Sequence, residues 1–143
     1  MDIGYEFEVM RMEDYDEAYA LWDSVENVRL SPADERNNFK AYLDKSPAQS
    51  FICRTGGTGE LVGTVLCAND GRRAYIHHLA VSPAHRRQGI AHKLVELAVM
   101  EQEAYGIGKV HIFVYEDNLT GIAFWQNEGF ELRDDLYIMS KNV

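Results

Sequence analysis

Residues 78–105 constrain the chain more than any other stretch. An apolar run, His78-Leu79-Ala80-Val81-Ser82-Pro83, leads through Arg86-Arg87-Gln88-Gly89-Ile90-Ala91 into an amphipathic helical pattern. A strand, a short basic turn with a glycine and a helix N-terminus together suit a pyrophosphate. The first amides of a helix have no intrahelical acceptor, and the helix dipole adds about half a positive charge there. Glycine lets the backbone approach an anion without a Cβ in the way, and arginine offers a planar fork to phosphate oxygens. Basic residues beside a glycine also mark ordinary solvated loops, so the flanking strand and helix carry the anion reading. No Gly-x4-Gly-Lys-Ser/Thr occurs, and one glycine does not make a dinucleotide-binding turn.

At 143 residues the chain is long enough for one domain with a substantial core, and residues 1–143 are read as that single domain. Its 46% apolar and 26% charged residues are those of a globular protein. No apolar run approaches the roughly 18 residues of a membrane span. Met1-Asp2-Ile3-Gly4-Tyr5-Glu6 lacks the basic and apolar regions of a secretory signal. Cys53 and Cys67 fall in strand patterns and read as buried reduced thiols of a cytoplasmic protein, with neither disulfide nor metal-ligand spacing. A net charge of −9 argues against nucleic acid and suits a cationic or amine substrate.

Alternation predicts strands over 5–11, 50–55, 61–68 and 74–81, with Gly56-Gly57-Thr58-Gly59-Glu60 closing a hairpin between the second and third. Helical spacing predicts helices over 13–22, from the Ser31-Pro32-Ala33-Asp34 start to about 44, over 89–105 and over 119–128. The stripe of the third helix is Ile90, Leu94, Leu97, Ala98 and Glu101. A strand is expected at 109–115, and one or two more close the chain over 130–141. The order β-α-α-β-β-β-α-β-α-β implies an α/β fold, a central mixed sheet with about four helices packed on it.

With these elements in place the chain resembles the GCN5-related N-acetyltransferases (GNAT) over nearly its whole length. Arg86-Arg87-Gln88-Gly89-Ile90-Ala91 matches the Arg/Gln-x-x-Gly-x-Gly/Ala block. Asn118 through Gly129-Phe130 matches the Asn-x-x-Ala-x-x-Leu-Tyr-x-x-x-Gly-Phe block with substitutions. Leu21-Trp22 and Glu116-Asp117-Asn118 are similar to small bacterial acetyltransferases of the YpeA type. The resemblance implies acetyl-CoA as acyl donor and a primary amine as acceptor. The amides of Arg87, Gln88, Gly89, Ile90 and Ala91, with Arg86 alongside, would cradle the CoA pyrophosphate. The backbone of Leu79, Ala80 and Val81 would pair with pantetheine where this strand splays from the one at 109–115. Asn118 and Phe124 would line the far wall of the channel. The family tyrosine that faces the sulfur falls at Trp125, and Gly121 replaces an alanine. Indole is no usable acid, so the thiolate leaves unassisted or another tyrosine, Tyr115 or Tyr137, serves.

Direct transfer needs a neutral amine. A lysine-like amine is neutral in only about one part in 2500 at pH 7, a deficit of roughly 4.6 kcal/mol. Tyr75 and His77 lie four and two residues before Leu79 and share its strand parity. In the arylalkylamine N-acetyltransferases histidines at these two offsets project into the acceptor channel, which makes His77 the first candidate base and leaves Tyr75 beside it. The other reading of His77 is a hydrogen-bonded histidine within a sheet. His78, of opposite parity, is expected to pack against a helix. Glu116 could serve as base or bind a cationic acceptor, or be solvated. Tyr15, Tyr19, Trp22 and Phe39 read as core. In the family the segment from Ser24 to Ser31 overhangs the acceptor, so Asp23, Glu26 and Arg29 are candidate specificity residues. A non-catalytic acyl-CoA sensor and an N-terminal or ribosomal-protein acetyltransferase remain open, as do monomer and homodimer.

Overall fold

A computed structural model describes residues 4–143. Residues 1–3, part of the segment inspected for a secretory signal, lie outside the described residues. The chain divides after Phe113 into two compact units.

The first unit is a sheet with helices on both faces. It runs β1 (Tyr5–Val9), a 3-10 turn (Met12–Asp14), α1 (Tyr15–Ser24), a second turn (Pro32–Asp34) and α2 (Arg36–Lys45). There follow β2 (Phe51–Thr55), β3 (Leu61–Asn69), β4 (Ala74–Val81), a third turn (Pro83–His85), α3 (Ile90–Ala104) and β5 (Val110–Ile112). The strands lie in sequence order, antiparallel from β1 to β4 and parallel between β4 and β5.

On one face α1 and α2 bring Ala18, Leu21, Trp22 and Phe39 onto Ile52, Leu66 and Ala80. Trp22 is fully buried, and its indole N–H finds the Thr64 hydroxyl at 2.8 Å, so the polar handle of a large apolar group is satisfied. Burial of a side chain such as Phe39 contributes about 1.5–3 kcal/mol. Of the four aromatics read as core, Tyr19 is the one left partly exposed. On the other face α3 comes so near β3 that a Cβ on Gly63 would lie 3.0 Å from Ile90 Cγ2. Close approach of the helix is the reason for glycine there.

The buried stripe of α3 is Ile90, Leu94, Val95, Ala98 and Gln102, in place of the expected Leu97 and Glu101. Gln102 can be buried because its amide donates to Gln49 Oε1 at 2.9 Å and accepts from Asn69 Nδ2 at 2.9 Å. The Ser31 start signal caps the Pro32–Asp34 turn, where its hydroxyl accepts from Ala33 N–H, and α2 begins four residues later than the sequence suggests. Cys53 and Cys67 are buried and unpaired, as expected.

The second unit holds α4 (Leu119–Asn127). The closing strands expected over 130–141 do not form. A strand exists only through its ladder, and these residues lack one. Leu136, Tyr137, Ile138 and Met139 are exposed, while Arg133 turns back on Asp135 through two contacts of 3.0 and 3.1 Å. Consecutive Asp134 and Asp135 are poor strand residues. The strand expected at 109–115 is likewise cut to three residues. Among the described residues no helix is long and apolar enough to cross a membrane.

Candidate active site

The sheet is broken where the chemistry is expected. Thr64 pairs with Ala80 and Leu66 with His77, so His78 and Leu79 together oppose Val65 alone. This is a β-bulge. His78 takes φ +46, a left-handed conformation that is costly for a side chain with a Cβ. Its neighbours hold it there. The Thr64 hydroxyl donates to the His78 carbonyl at 2.9 Å while accepting from Trp22. The imidazole lies edge-on to Trp22 at 4.9 Å, with Nε2 2.7 Å from Asp34 Oδ1. His78 therefore packs against α1, as its position suggested.

The bulge overturns the shared parity of Leu79 with Tyr75 and His77. His77 opposes Leu66 and Ala80 opposes Thr64, and both Leu66 and Ala80 belong to the core beneath α1 and α2. Residues three apart now share a face, which a regular strand forbids. Alternation from Ala80 places Leu79 on the opposite face from His77. A one-residue insertion flips every side chain beyond it.

Beside the bulge, β4 and β5 pair only over Ala74–Ile76 and Val110–Ile112. The β4 edge from His77 to Val81 is left without this partner. The Leu79 carbonyl is engaged by the Asn27 side-chain amide at 2.8 Å, from the connection between α1 and α2. Four rings form a layer on the β4–β5 pair. Tyr75 lies 5.5 Å from His111 and 6.0 Å from Phe113, and His77 stacks on Phe113 at 6.2 Å with planes 27° apart. Burial pushes the half-buried His77 imidazole below its ordinary pKa of 6.5. The adjacent His78 pushes the same way, against Asp34. The neutral, proton-accepting form is therefore favoured.

After β4 the Ser82 amide is tied to Val62 O, and the Pro83–His85 turn leads to an exposed loop of Arg86, Arg87, Gln88 and Gly89. Tyr5 from β1 meets His85 Nδ1 at 3.0 Å beneath it. Arg87 (φ +62) and Gly89 (φ +79) are both left-handed. Gly89 is the N-cap of α3 without a side-chain cap, and the first intrahelical bond runs from Lys93 N–H to the Gly89 carbonyl. The amides of Ile90 and Ala91 thus precede the helical ladder. A Cβ at Gly89 would meet nothing within 4 Å. Open space, unladdered amides and two guanidinium groups fit a diphosphate. The Ile90 side chain is buried under β3 and anchors this end of α3, leaving only its amide for a ligand.

A sequence profile of the Acetyltransferase (GNAT) family matches residues 12–130. The chain belongs to this family. An acetyltransferase of Sodalis glossinidius is 26% identical over 138 residues, 96% of this chain and 95% of its own. The fold is similar to that of Ard1 from Thermoplasma volcanium, with TM-score 0.78, 17% identity and coverage of 90% and 84% of the two chains. It is also similar to that of a predicted acetyltransferase with acetyl-CoA from Clostridium acetobutylicum (TM-score 0.74, 16% identity, 96% of each chain). The GNAT protein is thus an acetyl-CoA-dependent N-acetyltransferase with the mixed-sheet fold of its family.

Asp23 at the end of α1, and Glu26 and Arg29 just after it, are exposed; the other residues singled out from the sequence lie in the second unit of the GNAT chain. Glu116 is exposed on the approach to α4. Asn118 caps α4, its Oδ1 accepting from Gly121 N–H at 3.0 Å, and a Cβ on Gly121 would collide with the Asn118 side chain. The glycine in place of the family alanine follows from this cap. Phe124 meets Trp125 edge-on at 5.2 Å, and Trp125 packs on Phe130 at 4.9 Å. Sequence reasoning missed Asn27, Phe113 and the role of His78.

Proposed function

We propose that His77 is the general base of a transfer of acetyl from acetyl-CoA to a primary amine. The observation that carries this is the position of His77. It is the last regular residue of β4 before the bulge, at the start of the edge that β5 leaves unpaired, with its neutral form favoured by burial. The β4 backbone at Leu79, Ala80 and Val81 receives pantetheine, with the Leu79 carbonyl shared with Asn27. The amides of Arg87, Gln88, Gly89, Ile90 and Ala91, flanked by the Arg86 and Arg87 side chains, take the pyrophosphate. The net charge of −9 supports a cationic acceptor, and two buried unpaired cysteines support a reducing, cytoplasmic setting.

In the reaction the amine nitrogen bonds to the thioester carbon, the C–S bond breaks and CoA leaves as thiolate. His77 accepts the proton that the amine gives up. General-base assistance of this kind contributes about 10²–10⁴-fold. Tyr75, stacked between His111 and Phe113, supports the layer on which His77 rests and is the second candidate.

The test is His77→Gln assayed by CoA thiol release over a panel of amines, with acetyl-CoA affinity followed by calorimetry. Loss of turnover with unchanged acetyl-CoA affinity is expected. Equal turnover at every pH would remove His77 as base.

A further inference from the structure

The His77 ring is oriented by stacking, and the partner is Phe113, one residue beyond β5. Phe113 lies across two rings of β4 at once, 6.0 Å from Tyr75 with planes 14° apart and 6.2 Å from His77 with planes 27° apart. An aromatic this exposed (56%) has little to gain as core, so its side chain is spent on the surface of the ring layer. We propose that Phe113 is the positioning residue of His77: its ring holds the imidazole flat against the β4–β5 layer and keeps water from one face. This rests on the reading of His77 as base, but its physical content concerns the ring alone.

The two functions separate. Stacking restricts rotation of the imidazole about its side-chain bonds. Dehydration of one face disfavours the imidazolium, in the same direction as burial already acts on His77. The charged and titratable groups that act on His77 are His78 on its own strand and Asp34 from the Pro32–Asp34 turn. From β5, His111 stands one ring away behind Tyr75. Phe113 alters none of these charges, so its removal reports on hydration and ring orientation.

The experiment is an NMR titration of the histidine ring signals, with His77 assigned by the signal lost in His77→Gln. Wild type is compared with Phe113→Leu and Phe113→Tyr. In Phe113→Leu the His77 titration is expected to move up by about half a pH unit or more as water reaches the ring. In Phe113→Tyr, which keeps the stacked face, it is expected to stay at the wild-type position. In wild type, NOEs between the His77 and Phe113 ring protons are expected. Superimposable His77 titrations in wild type and Phe113→Leu, or absence of those NOEs, would overturn the proposal. The NOE measurement needs no variant and holds even if Phe113→Leu fails to fold. No acceptor is required, so the two readings fail separately. If His77→Gln retains turnover while the ring titration behaves as expected, the base assignment falls and the brace stands.

Discussion

Asp34 closes a bridge from the α1–α2 connection to the β4 bulge: its Oδ1 lies 2.7 Å from His78 Nε2, while its Oδ2 accepts the Ser31 amide at 3.0 Å. Tyr15 adds a third tie by donating to the Asp34 carbonyl at 2.6 Å. With Asn27 on the Leu79 carbonyl, both residues of the bulge are held from the same connection. The irregularity that redirects β4 is thus determined by several contacts at once, which is how a left-handed histidine persists.

His78→Ala should be among the more damaging single changes in the first unit. It removes the Asp34 contact and the Trp22 contact while keeping the backbone penalty at φ +46. A hydrogen bond to a carboxylate contributes about 1.5–3 kcal/mol, and a loss of that size is expected in urea unfolding. His78→Asn should lose less, because asparagine takes the left-handed region more readily. Equal losses for the two variants would show that the backbone conformation is not a source of strain.

The contrast between β4 and its bulge marks how much of this molecule was readable. The bounds 74–81 and the start of α3 follow from apolar spacing, which is local and survives folding. The bulge is a relation between two strands, so nothing in the order His77-His78-Leu79 announces that both oppose Val65. Gln102 hides for a similar reason, since its burial depends on partners 33 and 53 positions away. Residues 130–141 are apolar enough to suggest strands yet form no ladder, because Asp134 and Asp135 interrupt them and pairing is a non-local event. The Arg86–Ala91 loop could be proposed as an anion site from the sequence because its chemistry lies in consecutive residues. Phe113 was not, because its partners are on another strand.

Gly89→Glu and Gly89→Ala should separate backbone strain from repulsion at the loop. Both carry the left-handed cost at φ +79, and the alanine Cβ meets nothing. Only glutamate places a charge where the diphosphate is proposed to sit. Like charges about 4 Å apart in a partly hydrated setting repel by about 1–4 kcal/mol. The acetyl-CoA Kd should therefore rise by roughly fivefold to a thousandfold in Gly89→Glu, and far less in Gly89→Ala. Calorimetric titration reads both, and wild-type affinity in the glutamate variant would move the pyrophosphate elsewhere.

Asn27→Ala frees the Leu79 carbonyl and loosens the connection between α1 and α2 from the bulge. The bond is exposed, so the stability loss should be small, about 0.5–1.5 kcal/mol. The larger effect should fall on the acceptor KM, with kcat changed less. A variant with wild-type KM for every amine would show that this tether does not shape the acceptor side.

His77 links activity to stability through one proton. Its folded pKa lies below the unfolded value near 6.5, so the unfolded chain binds the proton more readily. Its neutral form imposes no such penalty above that value. As pH falls through about 6.5 the unfolded state takes up protons that the folded state resists, and stability drops until the lower folded pKa is passed. Over the same window kcat/KM should fall as the base becomes protonated, with its midpoint at the folded pKa of the free enzyme. His77→Gln removes the titrating group, so its urea midpoint should change less between pH 7.5 and 5 than that of wild type. Parallel stability profiles for the two proteins would mean that the His77 ring is as hydrated in the folded state as in the unfolded one, and the acid limb of the rate profile would then belong to another group.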